Sequence, residues 1–191
     1  MNEYLNDIAR QFSSNAPAVD FWTLRLTAET SEAVSVRQGV MQPVYNHVAR
    51  GALLTVVNGD GYGYAATSDL STAGLKQVAR LAVDWAQQSS TLGLLKARDY
   101  PRPQARARYE TPVTQKWDAI ALDDKVALLQ DANRALKIND SIVDWSAYLG
   151  YSCDDSVFIS SSGAHIEQRF HYIHPSLSAV ANQGSQTQYC S

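Results

Sequence analysis

The sequence predicts an α+β fold: a mostly antiparallel sheet with two to three helices packed on one face. Three observations predict it. Period-two alternation of apolar and polar residues fills runs near both ends of the chain. Two stretches with apolar residues at helical spacing lie between those runs. Strand runs also follow one another directly instead of alternating singly with helices, the pattern of α+β rather than of a parallel sheet.

Taken in order, residues 3–13 place Leu5, Ile8, Ala9 and Phe12 on one helical face, and Asn15 to Pro17 break the pattern. "DFWTLRLTAE" reads as a strand, with Trp22, Leu24, Leu26 and Ala28 facing the core. "EAVSVRQGVMQPV" reads as a second strand with a turn near Gly39, and Pro43 makes its far end an edge or an exit. "GALLTVVNG" is a third, strongly apolar strand. "YGYAATSD" is a short fourth one, reached through Asn58-Gly59-Asp60-Gly61, a hairpin pattern because Asn-Gly and Asp-Gly tolerate positive φ.

A strong helix follows. Ser71 or Ser68 can cap it, and Leu75, Val78, Ala79, Ala82, Trp85 and Ala86 recur at its spacing. Residues 91–120, with Pro101, Pro103 and Pro112, read as a connecting arm packed over the surface. A further helix is expected with Asp123 as its cap and Val126, Leu129, Ala132 and Leu136 along its face. After Asn139 the period returns to two. "SIVDWSAYLGYSCD", "DSVFISSSG", "AHIEQRFHYIHPS" and "LSAVANQGSQTQYC" read as about four strands, two of them joined by a turn at Ser160 to Gly163.

The chain has 191 residues and 45% hydrophobic residues, enough for a core of its own. Its net charge of −3 carries no basic surplus, so no direct nucleic-acid partner is expected. The most basic stretch, Arg98, Arg102, Arg106 and Arg108 around Pro101 and Pro103, reads as an extended solvated connection. No apolar run is long enough to cross a membrane as a helix, and "MNEYLNDIARQF" has no apolar signal core. Two cysteines, Cys153 and Cys190, make no disulfide framework, and a reduced, cytoplasmic setting is expected, where the sequon at Asn139 has no role.

The stretch "VVNGDGYGYAATSDLS" resembles a phosphate-binding loop and fails as one. A dinucleotide fingerprint beginning at Gly59 needs a glycine at position 64, which is Tyr64, and no Gly-Lys-Ser/Thr follows. Gly61 and Gly63 fit instead a hairpin whose second strand is approached closely by other backbone. The histidines are His47, His165, His171 and His174. His171 and His174 look like a ligand pair, but residues three apart on a strand point to opposite faces and converge only if the chain bends at Pro175. Cys153 and His165 converge only if the fold brings their strands together. Ser160, Ser161 and Ser162 lack the setting of a nucleophile elbow and suit a turn. Glu167 and Arg169 read as a solvated or cross-strand ion pair. Tyr148, Tyr151, Tyr172 and Tyr189 read as sheet formers or as a partner platform. The residues by themselves assemble no catalytic, metal or cofactor site.

The same stretches, in the same order, resemble the N-terminal half of the TldD/PmbA (TldD/TldE) family, metalloprotease-related proteins also called modulators of DNA gyrase. "VRQGVMQPVYNHVARGALLTVVNGDGYGYAATSDLS" is similar to the family's glycine-marked hairpins leading into a helix. "YETPVTQKWDAIALDDKVALLQDANRAL" is similar to its linker and helix, "SVFISSSGAHIEQRF" to its serine-glycine hairpin, and "AVANQGSQTQ" to the strand before its C-terminal domain. Thr55 departs from an arginine found in many members.

The resemblance implies that residues 1–191 are one N-terminal α/β domain, with a peptidase-type C-terminal domain absent. It implies a non-catalytic role in peptide proteolysis and maturation, through enclosing substrate or pairing subunits. The expected partners are a peptide or protein substrate and a homo- or heterodimeric TldD/PmbA-type subunit. Zinc in that family is held by a His-Glu-x-x-x-His helix and a distant cysteine. No His-Glu pair occurs here, so the ion is expected in a C-terminal domain or a partner subunit and this chain is expected to be inactive alone. The alternatives are a free-standing peptide- or protein-binding regulatory module, and a small enzyme built on His165, His171 or Cys153. Edge strands of the sheet are expected to hold an extended peptide by strand addition.

Overall fold

Trp22, Leu24, Leu26 and Ala28 form one buried row, as their alternation requires. They lie on β1 (Phe21–Arg37). The structure is a computed structural model that describes residues 3–92, 99, 102 and 104–191. The remaining elements in chain order are α1 (Glu3–Ser13), β2 (Val40–Met41), β3 (Tyr45–Asn58), β4 (Gly61–Thr67), α2 (Thr72–Ser90), β5 (Arg106–Glu110), a 3-10 turn (Trp117–Ala119), α3 (Leu122–Leu136), β6 (Ile142–Ser160), β7 (His165–Gln183) and β8 (Gln186–Cys190). The strands pair in the order β4-β3-β1-β6-β7-β5, with β2 on β1 and β8 on β7. β2, β4 and β8 pair antiparallel to their neighbours, and β5 runs parallel to β7. The fold is α+β with a mostly antiparallel sheet.

Several strands are longer than their patterns suggest. β1 runs unbroken where two strands are expected, because Glu29, Thr30, Ser31 and Glu32 are polar without being chain breakers. β6 likewise runs through Cys153, Asp154 and Asp155. β7 continues through Pro175, so three strands close the chain instead of about four. Pro175 is tolerated for a specific reason. The backbone N–H of His171 points outward to Thr111 Oγ1 at 3.3 Å, and Pro175, four residues on, turns its missing donor to the same side. The registers of β5 and β8 cover residues 165–169 and 179–183 of that side, so position 175 has no ladder bond to lose.

Residues 1–29, 48–110 and 154–170 form one compact unit, and residues 30–47, 111–153 and 171–191 a second. In the first unit, α1 and α2 cover one face of the strands. Leu5, Ile8 and Phe12 of α1 and Leu75, Val78, Ala82 and Ala86 of α2 close over Leu24, Leu26, Leu54 and Val56. Phe12 meets Trp22 edge to face, with ring centroids 5.2 Å apart. In the second unit, α3 lays Leu129, with Val126 and Ala132 beside it, on Val34, Val36 and Ala147. The turn expected near Gly39 is made by Gln38 and Gly39, both at positive φ.

Two helical expectations change. α3 begins after Ala121, which gives no side-chain cap, and Asp123 sits inside the first turn, where it favours the helix dipole without capping it. Trp85 is 56% exposed instead of buried, because it lies to one side of the stripe formed by Leu75, Val78, Ala82 and Ala86. The expected arm at 91–120 contains β5 and the 3-10 turn. Arg102 stacks on Phe21 and Arg106 donates to the Gly163 carbonyl, while Arg98, Pro101 and Pro103 lie outside the described residues.

Candidate functional site

The glycine stretch is a docking surface for the chain's own helix. β3 and β4 pair from Asn58–Gly61 to Ala52–Thr67, with Gly59 at φ 59° in the turn and its N–H donating to Asp20 Oδ2 at 2.7 Å. A Cβ on Gly61 would stand 1.9 Å from the Ala86 carbonyl oxygen, and one on Gly63 would stand 2.1 Å from that of Ala82. Both positions must lack a side chain for α2 to lie where it does. The helix N-terminus that a phosphate would need is filled from within. Ser71 Oγ accepts from Gly74 N–H, and Asp69 accepts from Ser71 N–H at 3.0 Å. Hydrogen bonding from the Ser71 side chain, and then from its N–H, holds the Asp69 carboxyl below its ordinary range.

β4 is last in the strand order, and part of its outer edge has no strand partner among the described residues. At Tyr62 the edge is closed: Ser89 Oγ accepts from the Tyr62 N–H at 2.8 Å and donates to its carbonyl at 2.7 Å. N–H groups at alternate strand positions share a direction. Tyr64 and Ala66 therefore present the same outward groups, and these have no partner among the described residues. The helix supplies a wall beside them. Ser89, Trp85 and Leu81 follow one another at four-residue spacing, and Trp85 Cβ would lie 2.9 Å from a Cβ on Gly63. Leu81 is half-exposed like Trp85, and Tyr62 and Tyr64 are exposed on the strand, their rings 6.1 Å apart.

The other candidates resolve into structural roles. Ser160 to Ser162 build the β6–β7 turn: Ser160 Oγ accepts from Ala164 N–H, Ser161 exchanges bonds with the Trp22 backbone, and Gly163 takes φ 99°. His171 Nδ1 meets the Tyr151 hydroxyl at 2.9 Å, whereas His174 stacks on Tyr172, so the two histidines engage different partners. His47 stacks on Tyr45. His165 Nε2 lies 3.2 Å from Asn6 Oδ1 and 3.4 Å from Glu167 Oε1. Cys153 is half-buried and Cys190 exposed, and both are thiols. Tyr148 and Tyr172 are partly and Tyr189 largely exposed.

Arg169 finds a partner on the neighbouring strand. It binds Asp155 bidentately, at 2.7 and 2.9 Å, with Glu110 3.8 Å away. Asp155 is buried, so this pair is more than a solvated one. Next to it, Asp154 Oδ1 is buried without a hydrogen-bond partner. Desolvation, with the charges of Glu29 and Asp155, pushes the Asp154 carboxyl above its ordinary range.

One network escapes sequence reading. Lys125, 5% exposed, donates to Glu32 Oε1 at 3.0 Å and lies 3.8 Å from the Trp117 ring centroid. Trp117 Nε1–H donates to the same oxygen at 2.9 Å, and its ring stacks on Tyr151 at 5.1 Å. The helical spacing that marks Val126 and Leu129 also places Lys125 inward, but residue type argued against it.

Two domain models match in order. That of PmbA/TldA metallopeptidase domain 1 matches residues 22–86, and that of the PmbA/TldA metallopeptidase central domain matches residues 115–189. None of the curated proteins matches the chain. Among solved structures, a modulator of DNA gyrase from Bacteroides thetaiotaomicron is similar at TM-score 0.75 and 14% identity, over 98% of this chain and 44% of that one. One from Thermotoga maritima is similar at TM-score 0.71 and 11% identity, over 98% and 41%. TldE from Thermococcus kodakarensis is similar at TM-score 0.63 and 13% identity, over 96% and 40%. The chain thus spans less than half the length of these solved structures.

Proposed function

From the premise that the chain belongs to the PmbA/TldD metallopeptidase family, we propose that it is the non-catalytic portion of a peptidase assembly of that kind. It holds peptide and pairs with a subunit that carries the cleaving centre. The observation that supports this reading best is the ordered match to the first and central domain models across most of the chain. Zinc is the metal the family resemblance implies, and the donors described here do not fit it. Among the described residues, no three His, Cys, Asp or Glu side chains come together in a way that could hold a metal ion.

The reading places the chain in the cytoplasm, where two thiols without a disulfide are the ordinary state. Among the described residues no helix is long and apolar enough to cross a membrane. The test is a cleavage assay on fluorogenic peptides. The chain alone is expected to leave them intact with or without added zinc, and to raise cleavage when mixed with a zinc-bearing subunit of the family. Zinc-dependent cleavage by the chain alone, abolished by His165→Ala or His171→Ala, would sink the proposal.

A further inference from the structure

We propose that the trough between the outer edge of β4 and the flank of α2 binds an extended peptide by strand addition, selecting apolar side chains at alternate positions. The inference rests on the peptide-handling reading above and gives it a place in the chain. The floor of the trough is backbone. Tyr64 and Ala66 each direct an N–H and a carbonyl outward with no partner among the described residues. Groups two residues apart on a strand stand about 6.8 Å from each other. A second extended chain carries the matching acceptors and donors at that same interval.

The walls decide which side chains enter. On the helix side stand Trp85 and Leu81, half-exposed and without a charge between them along that flank. On the other side of the strand stand Tyr62 and Tyr64. Side chains of an added strand alternate between these two walls. The set facing α2 meets an indole and an isobutyl group, so branched aliphatic or aromatic residues are favoured there. The set facing the tyrosines tolerates polar residues. Ser89 closes the trough at Tyr62, because it already occupies that residue's outward donor and acceptor. An incoming strand therefore starts its pairing at Tyr64.

The size of the site favours a peptide over a second copy of the chain. Two residues of open edge and four exposed side chains are far from the roughly 800 Å² per partner that a stable interface buries. They match a segment of three to five residues held mainly by main-chain bonds.

The experiment uses the whole chain and one probe, an acetylated, amidated heptapeptide alternating valine and threonine, beside the same peptide N-methylated on alternate residues. The unmodified probe is expected to bind and to slow amide exchange at Tyr64 and Ala66. The N-methylated probe is expected to bind about tenfold more weakly, since it lacks the facing donors. Ala66→Pro removes one outward N–H and no bond to β3, and is expected to lose about tenfold while keeping its circular dichroism. Trp85→Ala is expected to weaken binding several-fold. Equal affinity for both probes overturns the proposal, as does no binding of the unmodified one. Protection of Tyr64 and Ala66 in a dimer of the chain without peptide overturns it in favour of self-pairing. If the chain still raises its partner subunit's cleavage when the trough fails these tests, only the trough is refuted. If the trough binds while that stimulation is missing, only the broader function is.

Discussion

Lys125 shows what one charge demands when it leaves water. Its ammonium is met by one carboxylate oxygen and one indole face, so each partner carries a large share of its compensation. Glu32→Ala is expected to lower stability by about 2 kcal/mol, less than the ~3–5 kcal/mol of a fully buried pair because Glu32 keeps some exposure. Glu32→Gln combined with Lys125→Met, which keeps an acceptor for the Trp117 N–H, should recover most of it. Urea midpoints of the two variants check both statements. Asp154 is the opposite case, a carboxyl that folding disfavours in its charged form. Its folded pKa lies above its unfolded one, so the folded state binds more protons between the two values. Stability is then expected to fall as pH rises from about 4 through the raised folded value. Asp154→Asn should remove that slope and raise the thermal midpoint at pH 8 more than at pH 4. A gain of about 2–4 °C corresponds to each kcal/mol relieved; equal shifts at both pH values would contradict the assignment. The cap was legible down to Ser71 or Ser68, because a serine ahead of an apolar helical run signals one, and Ser71 fills it. The partner of Arg169 was not, because Asp155 lies across a hairpin that only the fold aligns.

At the scale of elements, α2 on β4 is the contact most sensitive to a single methyl group. A Cβ on Gly63 would meet the Ala82 oxygen and the Ala86 nitrogen, both backbone, at 2.1 and 2.4 Å. Gly63→Ala is therefore expected to cost about 3 kcal/mol, the upper end of overpacking, because no rotamer change can relieve it. A loss under about 0.5 kcal/mol in denaturant unfolding would show that the helix shifts freely. Gly39→Ala meets no atoms but must take a positive φ, and is expected to cost about 1 kcal/mol. Helices and the faces they bury were readable, since period 3.6 carries Leu75, Val78, Ala82 and Ala86 directly. Strand ends were less so. Polar runs such as Glu29 to Glu32 look like loops, yet here they are satisfied by partners distant in sequence, as Glu32 is by Trp117 and Lys125. Trp85 was misplaced because an aromatic residue at the margin of a helical stripe has the same spacing whether it turns inward or outward.

For the molecule as a whole, the two units differ in what holds them. The core of residues 1–29, 48–110 and 154–170 joins two helices to four strands. That of residues 30–47, 111–153 and 171–191 gathers a short set around Leu129. Amides of Leu24, Leu26 and Leu54 are expected to exchange more slowly than those of Val34, Val36 and Ala147, by tenfold or more for about 1.4 kcal/mol of opening free energy. Comparable rates would contradict the contrast in their cores. The fold class was legible from periodicity alone, while the open edge was not, since only the pairing order reveals that β4 is last. The glycine pair in β4 carries a consequence for how such a chain changes over time. Main-chain atoms, not side chains, set the separation of α2 and β4. A lineage can therefore exchange almost every residue of both elements and keep their spacing, provided two positions stay bare. Similarity scored residue by residue then fades long before the geometry does.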